Sequence, residues 1–109
     1  MNFDLWYKVL KYSCELKYPM PSRFVPVPDR ILFKRVCERF IINKFLEKWL
    51  DNPEADAEDL LDGMLLFYSM YQNYARERNE KELVNLYDIY IKTLIGIKNQ
   101  IKDFNKEKR

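Results

Sequence analysis

The sequence predicts an all-α protein, a small antiparallel bundle of four helices with a Pro-rich extended loop between the first and second helices. Three observations lead to this prediction. Apolar residues recur at helical spacing in four segments of the 109-residue chain, and prolines separate the first three segments. Only two glycines are available for the many turns that a β-sandwich or barrel needs. A chain of this length is expected to form one helical domain over residues 1–109.

The first predicted helix covers residues 2–18 and ends before Pro19, because the residue before a proline avoids the α conformation. Four prolines between residues 19 and 28 fix the backbone angle φ and remove hydrogen-bond donors, which predicts an extended segment. Phe24, Val25 and Val27 give this segment apolar side chains. We expect them to pack against the rest of the protein, since a free linker is usually rich in Gly and Ser.

The second predicted helix, 29–50, is apolar on nearly every side. Its apolar residues are Ile31, Leu32, Phe33, Val36, Cys37, Phe40, Ile41, Ile42, Phe45, Leu46, Trp49 and Leu50. At about 100° per residue they cover almost the whole circumference, with Arg and Lys between them. A helix with this pattern is either central in its domain or contacts both its own domain and a partner.

The third and fourth predicted helices, 53–78 and 80–104, are joined by a turn near Asn79 and are therefore expected to be antiparallel neighbours. The cap of the third helix is either Asp51-Asn52, followed by Pro53, or Asp56. The fourth helix has a heptad seam, the spacing of bundles and coiled coils: Leu83, Tyr87, Tyr90, Leu94, Ile97, Ile101 and Phe104. Residues 105–109 are predicted to form a frayed basic tail.

Charge is unevenly distributed, although the net charge is only +2. Residues 1–50 carry +5, residues 51–88 carry −7 and residues 89–109 carry +4. The acidic block consists of Asp51, Glu54, Asp56, Glu58, Asp59 and Asp62. Its spacing does not fit an EF-hand loop, and acids at a helix start complement the helix dipole, so no metal is predicted. An acidic patch that inhibits a larger host protein is the third functional hypothesis.

Basic residues define the second hypothesis, a nucleic-acid-binding accessory factor. The residues that would contact nucleic acid are Arg23, Arg30, Lys34, Arg35, Lys98, Lys102 and Lys106. Such side chains can follow phosphates. However, Glu38 and Glu47 interrupt the basic row, and the sequence pI of about 8.5 is below the range typical of nucleic-acid-binding domains.

The sequence argues against an enzyme. The chain has no His, which excludes Ser-His triads and His-ligated metals, and it has no phosphate-binding or nucleotide-binding motif. Cys14 and Cys37 lie outside any CxxC spacing and are expected to be free thiols. No cofactor and no small-molecule substrate are predicted. No apolar run approaches the length of a membrane span and the N-terminus does not resemble a secretory signal, so we expect a cytoplasmic protein.

The leading hypothesis is therefore a non-catalytic accessory protein that binds itself or a larger protein through apolar and aromatic helix surfaces. The reason is the second helix, whose apolar residues exceed what a chain of this size can bury. The predicted contact residues are Phe24, Val25, Val27, Phe33, Arg35, Arg39, Phe40, Phe45 and Trp49. A composition rich in Lys, Asn, Ile and Tyr suits a small protein of a phage or other mobile element.

Overall fold

The computed structural model describes residues 29–107, with side-chain burial for residues 32–106. These residues form three helices: α1 (Asp29–Asp51), α2 (Ala57–Glu77) and α3 (Lys81–Glu107). Each helix contacts the other two, and the part of the chain that the structure describes contains no strand. The all-α prediction is confirmed.

The predicted four-helix bundle is wrong, because the described residues form three helices. In the described residues, Leu94, Ile97 and Ile101 of the α3 seam are buried in one cluster with residues of α1 and α2, whereas Leu83 at the start of the seam is 38% exposed. The predicted first helix, 2–18, and the Pro-rich loop, 19–28, lie outside the described residues.

A short capped loop joins α1 to α2. The Asn52 amide Nδ2 donates a hydrogen bond to the Lys48 carbonyl at 2.9 Å, which satisfies an end carbonyl of α1. Asp56 is the N-cap of α2, and its carboxylate accepts a hydrogen bond from the Glu58 N–H at 2.8 Å. The helix therefore begins four residues after Pro53, and of the two predicted caps the structure selects Asp56.

The turn between α2 and α3 contains Asn79, whose φ of 58° is left-handed. Asparagine tolerates this conformation at the end of a helix. The Glu80 N–H donates to the Ala75 carbonyl at 3.0 Å and closes the end of α2. This confirms the predicted turn near Asn79. At its other end α3 continues to Glu107, three residues beyond the predicted end.

The core lies where α1 and α2 meet the C-terminal two thirds of α3. Its largest fully buried side chains are Phe45, Ile41, Ile42, Leu61, Leu94, Ile97 and Ile101. Phe45 and Trp49 contact each other, with ring centroids 5.5 Å apart. α1 therefore contributes one side of its circumference to the core, and the remaining apolar residues of this helix are left for the surface.

Candidate protein-interaction surface

Five large apolar side chains of α2 are exposed to solvent. We call this group the α2 patch: Leu66, Phe67, Met70, Tyr71 and Tyr74, with exposed fractions of 65, 53, 63, 44 and 57%. The spacing i, i+1, i+4, i+5, i+8 places them together along the helix, whereas the buried residues of α2, such as Leu61 and Met64, lie on the core side. The patch is contiguous, which distinguishes it from the single exposed apolar residues of an ordinary surface.

A ladder of aromatic rings connects this patch to the other two helices. We call it the aromatic ladder: Phe67, Tyr71, Tyr87, Tyr68, Tyr90 and Phe40, each in contact with the next. The Phe67 and Tyr71 centroids are 4.5 Å apart in an edge-to-face pair. Tyr71 stacks on Tyr87 at 5.8 Å across the α2–α3 contact. These are the geometries that aromatic pairs prefer, and each pair adds about 0.5–1.5 kcal/mol beyond area burial.

The ladder ends on α1 at Phe40, which stacks on Tyr90 with centroids 5.7 Å apart. Phe40 is exposed, as are Phe33 and Val36 on the same side of α1. The Lys44 ammonium lies 5.9 Å from the Phe40 ring centroid and adds a cation–π contact. Exposed apolar surface thus occurs on both α1 and α2, and the tyrosines of α3 link the two areas.

Burial changes the acidity of the central tyrosines. It raises the pKa of Tyr90 to about 12, because removal from water disfavours the phenolate, and the nearby Cys37, Tyr68 and Tyr87 act in the same direction. Burial also raises the pKa of Tyr68, with smaller contributions from Tyr87 and Tyr71. Both phenols are therefore neutral at physiological pH, and the middle of the ladder is an uncharged surface.

The two ends of the α2 patch carry opposite charge. Asp59 and Asp62 lie before it, and Asp62 accepts a hydrogen bond from the Lys98 ammonium of α3 at 2.5 Å. Arg78 lies after it, with its guanidinium 5.1 Å from the Tyr74 ring centroid. The Arg78 Nη1 also donates a hydrogen bond to the Tyr74 hydroxyl at 3.3 Å. These contacts keep the Arg78 side chain beside the patch.

The structure divides the predicted contact residues of α1 between surface and core. Phe33 and Phe40 are exposed, whereas Phe45 and Trp49 are 0% and 3% exposed and belong to the core. Arg35 is buried. The complete predicted set falls into three groups: Phe33, Arg39 and Phe40 with accessible surface; Arg35, Phe45 and Trp49 buried; and Phe24, Val25 and Val27 outside the described residues.

The structure does not bring the predicted nucleic-acid residues together as one accessible row. Arg35 is buried, Lys34 is partly buried and Lys98 pairs with Asp62. Lys102 and Lys106 are exposed at the far end of α3. Arg30 lies in the first turn of α1, and Arg23 lies outside the described residues.

The acidic block lies around the start of α2, and some of its residues have structural roles. Asp56 caps the helix, Asp62 pairs with Lys98 and Glu58 is partly buried. The exposed members without such a role are Asp51, Glu54 and Asp59. Among the described residues, no three Cys, Asp or Glu side chains are grouped so that they could hold a metal ion.

The carboxyl of Glu38 is a buried titratable group on α1. It lies next in sequence to Cys37, whose thiol is free and buried. Burial raises the pKa of the Glu38 carboxyl, and the positive charges of Lys34 and Arg35 lower it by less. No hydrogen bond from the described residues reaches Glu38 Oε1. Burial and the Glu38 charge raise the pKa of the Cys37 thiol, so this thiol is a poor nucleophile.

Replacing Glu38 by Gln is expected to flatten the dependence of stability on pH. The Glu38 carboxyl has a raised pKa in the folded state. As the pH rises above the ordinary pKa of a glutamate, the unfolded chain therefore loses this proton before the folded chain does. Wild-type stability should therefore fall with rising pH in that range, and the variant should lose this component. Urea unfolding at a series of pH values measures the effect. Glu47→Gln, at an exposed position of α1, is the control and should keep the wild-type slope; equal slopes for all three proteins would contradict the assignment.

Phe67, Tyr71 and Tyr74 belong to the apolar pattern of the third predicted helix, which by itself favours a place in the core. The structure places them on the surface instead. A signal was present in the sequence: apolar residues of α2 occupy two sides of the helix, more than one contact with a single neighbouring helix can bury. That excess indicated an interaction surface on α2 as well as on α1.

The comparisons with known proteins give no assignment. The chain matches no protein-family model, no curated protein and no solved structure. None of the described helices is long and apolar enough to cross a membrane. The surface itself is therefore the basis of the functional argument.

Proposed function

We propose that this protein is a non-catalytic protein–protein interaction protein, an accessory or regulatory factor that binds a protein partner through the α2 patch and the adjoining aromatic ladder. The observation that supports this proposal is the exposure of five large apolar side chains side by side on one helix. Tyr, Phe and Met are enriched in protein interfaces, and energetic hot spots are often aromatic.

The ladder favours binding because its rings are already ordered. Tyr71 is held between Phe67 and Tyr87, so a partner does not need to immobilise this side chain, and the entropic cost of association is lower. The inner rings, Tyr68 and Tyr90, are neutral at physiological pH, so no phenolate charge lies beneath the surface that a partner covers.

An estimate of the energy shows how much of the surface a partner must cover. Three aromatic side chains of the patch are about half exposed, which corresponds to roughly 300 Å² in total because a buried aromatic side chain hides about 150–250 Å². Covering that area contributes about 7 kcal/mol at 25 cal/mol per Å². Association itself costs about 4–15 kcal/mol, so a stable complex must also cover Leu66 and Met70.

Site-specific photo-cross-linking tests this proposal. A benzophenone amino acid at position 67 replaces one aromatic ring by another, and irradiation in the native host cell should yield a covalent adduct with a protein. The same amino acid at position 103, an exposed position near the far end of α3, is the matched control and should give none. Failure to obtain an adduct at position 67, or equal adducts at both positions, would count against the proposed function.

A further inference from the structure

We propose that the partner of the α2 patch is the α2 patch of a second copy of this chain, with the two α2 helices antiparallel about a two-fold axis midway between Phe67 and Met70. This inference rests on the proposed function and identifies the partner. The order of residues along the exposed side of α2 and the charges at the two ends of this helix both fit such a dimer.

The exposed side of α2 has the residue spacing of a helix-pairing seam. Gly63, Phe67, Met70 and Tyr74 follow one another at intervals of 4, 3 and 4 residues, which is the heptad spacing of coiled coils. We call these four residues the α2 seam. Helices that pair through such spacing cross at about 20°, which keeps their ends within reach of each other.

A two-fold axis at the middle of the α2 seam makes the seam complementary to itself. It places Phe67 opposite Met70 of the second copy, a pairing in which the flexible thioether contacts an aromatic ring. It also places Gly63 opposite Tyr74 of the second copy. Apart from Gly63 itself, its chain neighbours and the adjoining backbone of α2, no described atom lies within 4 Å of the position that a Cβ on Gly63 would occupy, so this position offers space for the large ring. Each of these contacts occurs twice, as a two-fold dimer requires.

The charges at the ends fit the same arrangement. Asp59 lies four residues before the seam and Arg78 four residues after it, so the axis places Asp59 of one copy opposite Arg78 of the other. Within one copy the two residues are 19 positions apart, about 28 Å at the rise of an α-helix. They cannot pair within a monomer, and the antiparallel dimer matches both charges.

The available area predicts a dimer that depends on concentration. The two copies of the patch together offer on the order of 1,000 Å², near the lower limit of about 1,200 Å² for stable protein interfaces. We therefore expect monomers and dimers in measurable equilibrium. The effect of a single substitution is then measurable, since a small change in affinity shifts the populations of monomer and dimer.

Charge reversal tests the register of the proposed dimer. Sedimentation equilibrium of the full chain should show a species of twice the 13.4 kDa monomer mass. Asp59→Arg alone and Arg78→Asp alone should each raise the dissociation constant about tenfold or more, because each places like charges opposite each other. The double variant should recover most of the affinity. Asp103→Arg, at an exposed position far along α3, is the matched control and should leave the constant unchanged.

Gly63→Leu separates loss of the dimer from loss of the fold. Leucine is a much better helix former than glycine, and a Cβ added at Gly63 meets open space within one copy. The variant monomer should therefore unfold at a higher temperature than the wild-type monomer. Its dissociation constant should nevertheless rise, since the leucine occupies the space that Tyr74 of the second copy needs.

Each other outcome has a defined meaning. A wild-type protein that remains monomeric up to about 1 mM overturns the dimer. If the photo-reactive amino acid at position 67 nevertheless cross-links this monomer to a protein other than itself, the proposed function stands and only the identity of the partner is wrong. A monomer without any adduct overturns both proposals. A dimer that is insensitive to the changes at Asp59, Arg78 and Gly63 overturns the antiparallel arrangement.

Discussion

Replacing Phe45 by alanine is expected to remove most of the stability of the folded domain. The ring is fully buried and packs against Trp49, so alanine leaves a cavity lined by core side chains. Substitutions of this kind cost about 3–5 kcal/mol, and domains as a class unfold with only about 5–15 kcal/mol. A small core places this protein near the lower end of that range.

Phe40→Ala is the matched control for this prediction, because it makes the same substitution on the same helix at an exposed position. Its ring is 46% exposed and has one stacked partner, Tyr90, so we expect a cost of about 1 kcal/mol. Urea unfolding followed by helical circular dichroism gives both values. Similar losses for the two variants would show that α1 does not bury the side that contains Phe45.

This comparison also shows what sequence alone could establish about α1. Phe40 and Phe45 are the same residue type in one continuous apolar pattern, and sequence analysis treated both as contact residues. Which of the two is buried depends on the side of α1 that contacts α3, a tertiary property that helical periodicity does not determine when apolar residues occur all around a helix. The helix was therefore predictable, but its exposed side was not.

α3 and the turn before it were more predictable because their signals are local. The heptad spacing from Leu83 to Phe104 predicted one buried side; the seam residues from Tyr90 to Phe104 are buried, whereas Leu83 at the start of the seam is 38% exposed. Asn79 predicted a turn through its tolerance of left-handed backbone. The number of helices in the bundle depends on contacts between distant segments, and the described residues form three helices where four were predicted for the chain.

The α2 patch shows the same limit from the functional side. Its five apolar residues are visible in the sequence, but aromatic side chains are typical of protein cores and of interfaces alike. Only the placement of α2 between its neighbours separates Tyr68, which is partly buried, from Tyr74, which is exposed. A candidate site formed by surplus apolar surface therefore requires the tertiary structure, whereas a metal or nucleotide motif can be identified from spacing.

Raising the pH above 10 is expected to destabilise the protein through the ionisation of Tyr90. Its pKa is about 12 in the folded state against 10.0 for an unperturbed tyrosine. In the unfolded chain the phenol therefore loses its proton near pH 10, while in the folded chain it stays neutral. The stabilisation is complete below pH 10 and is lost as the pH rises toward 12, by about 2–3 kcal/mol in all.

Tyr90→Phe removes this titration but keeps the ring and its contacts with Phe40 and Tyr68. The midpoint of alkaline unfolding should consequently move to higher pH in the variant, and absorbance at the phenolate band should lose a group that ionises well above pH 10. The wild type and the variant carry the same lysines, so the difference between their transitions is free of lysine deprotonation. If the alkaline transition of Tyr90→Phe coincides with that of the wild type, Tyr90 is not a group that limits alkaline stability, because the variant lacks the buried phenol whose ionisation the folded state opposes.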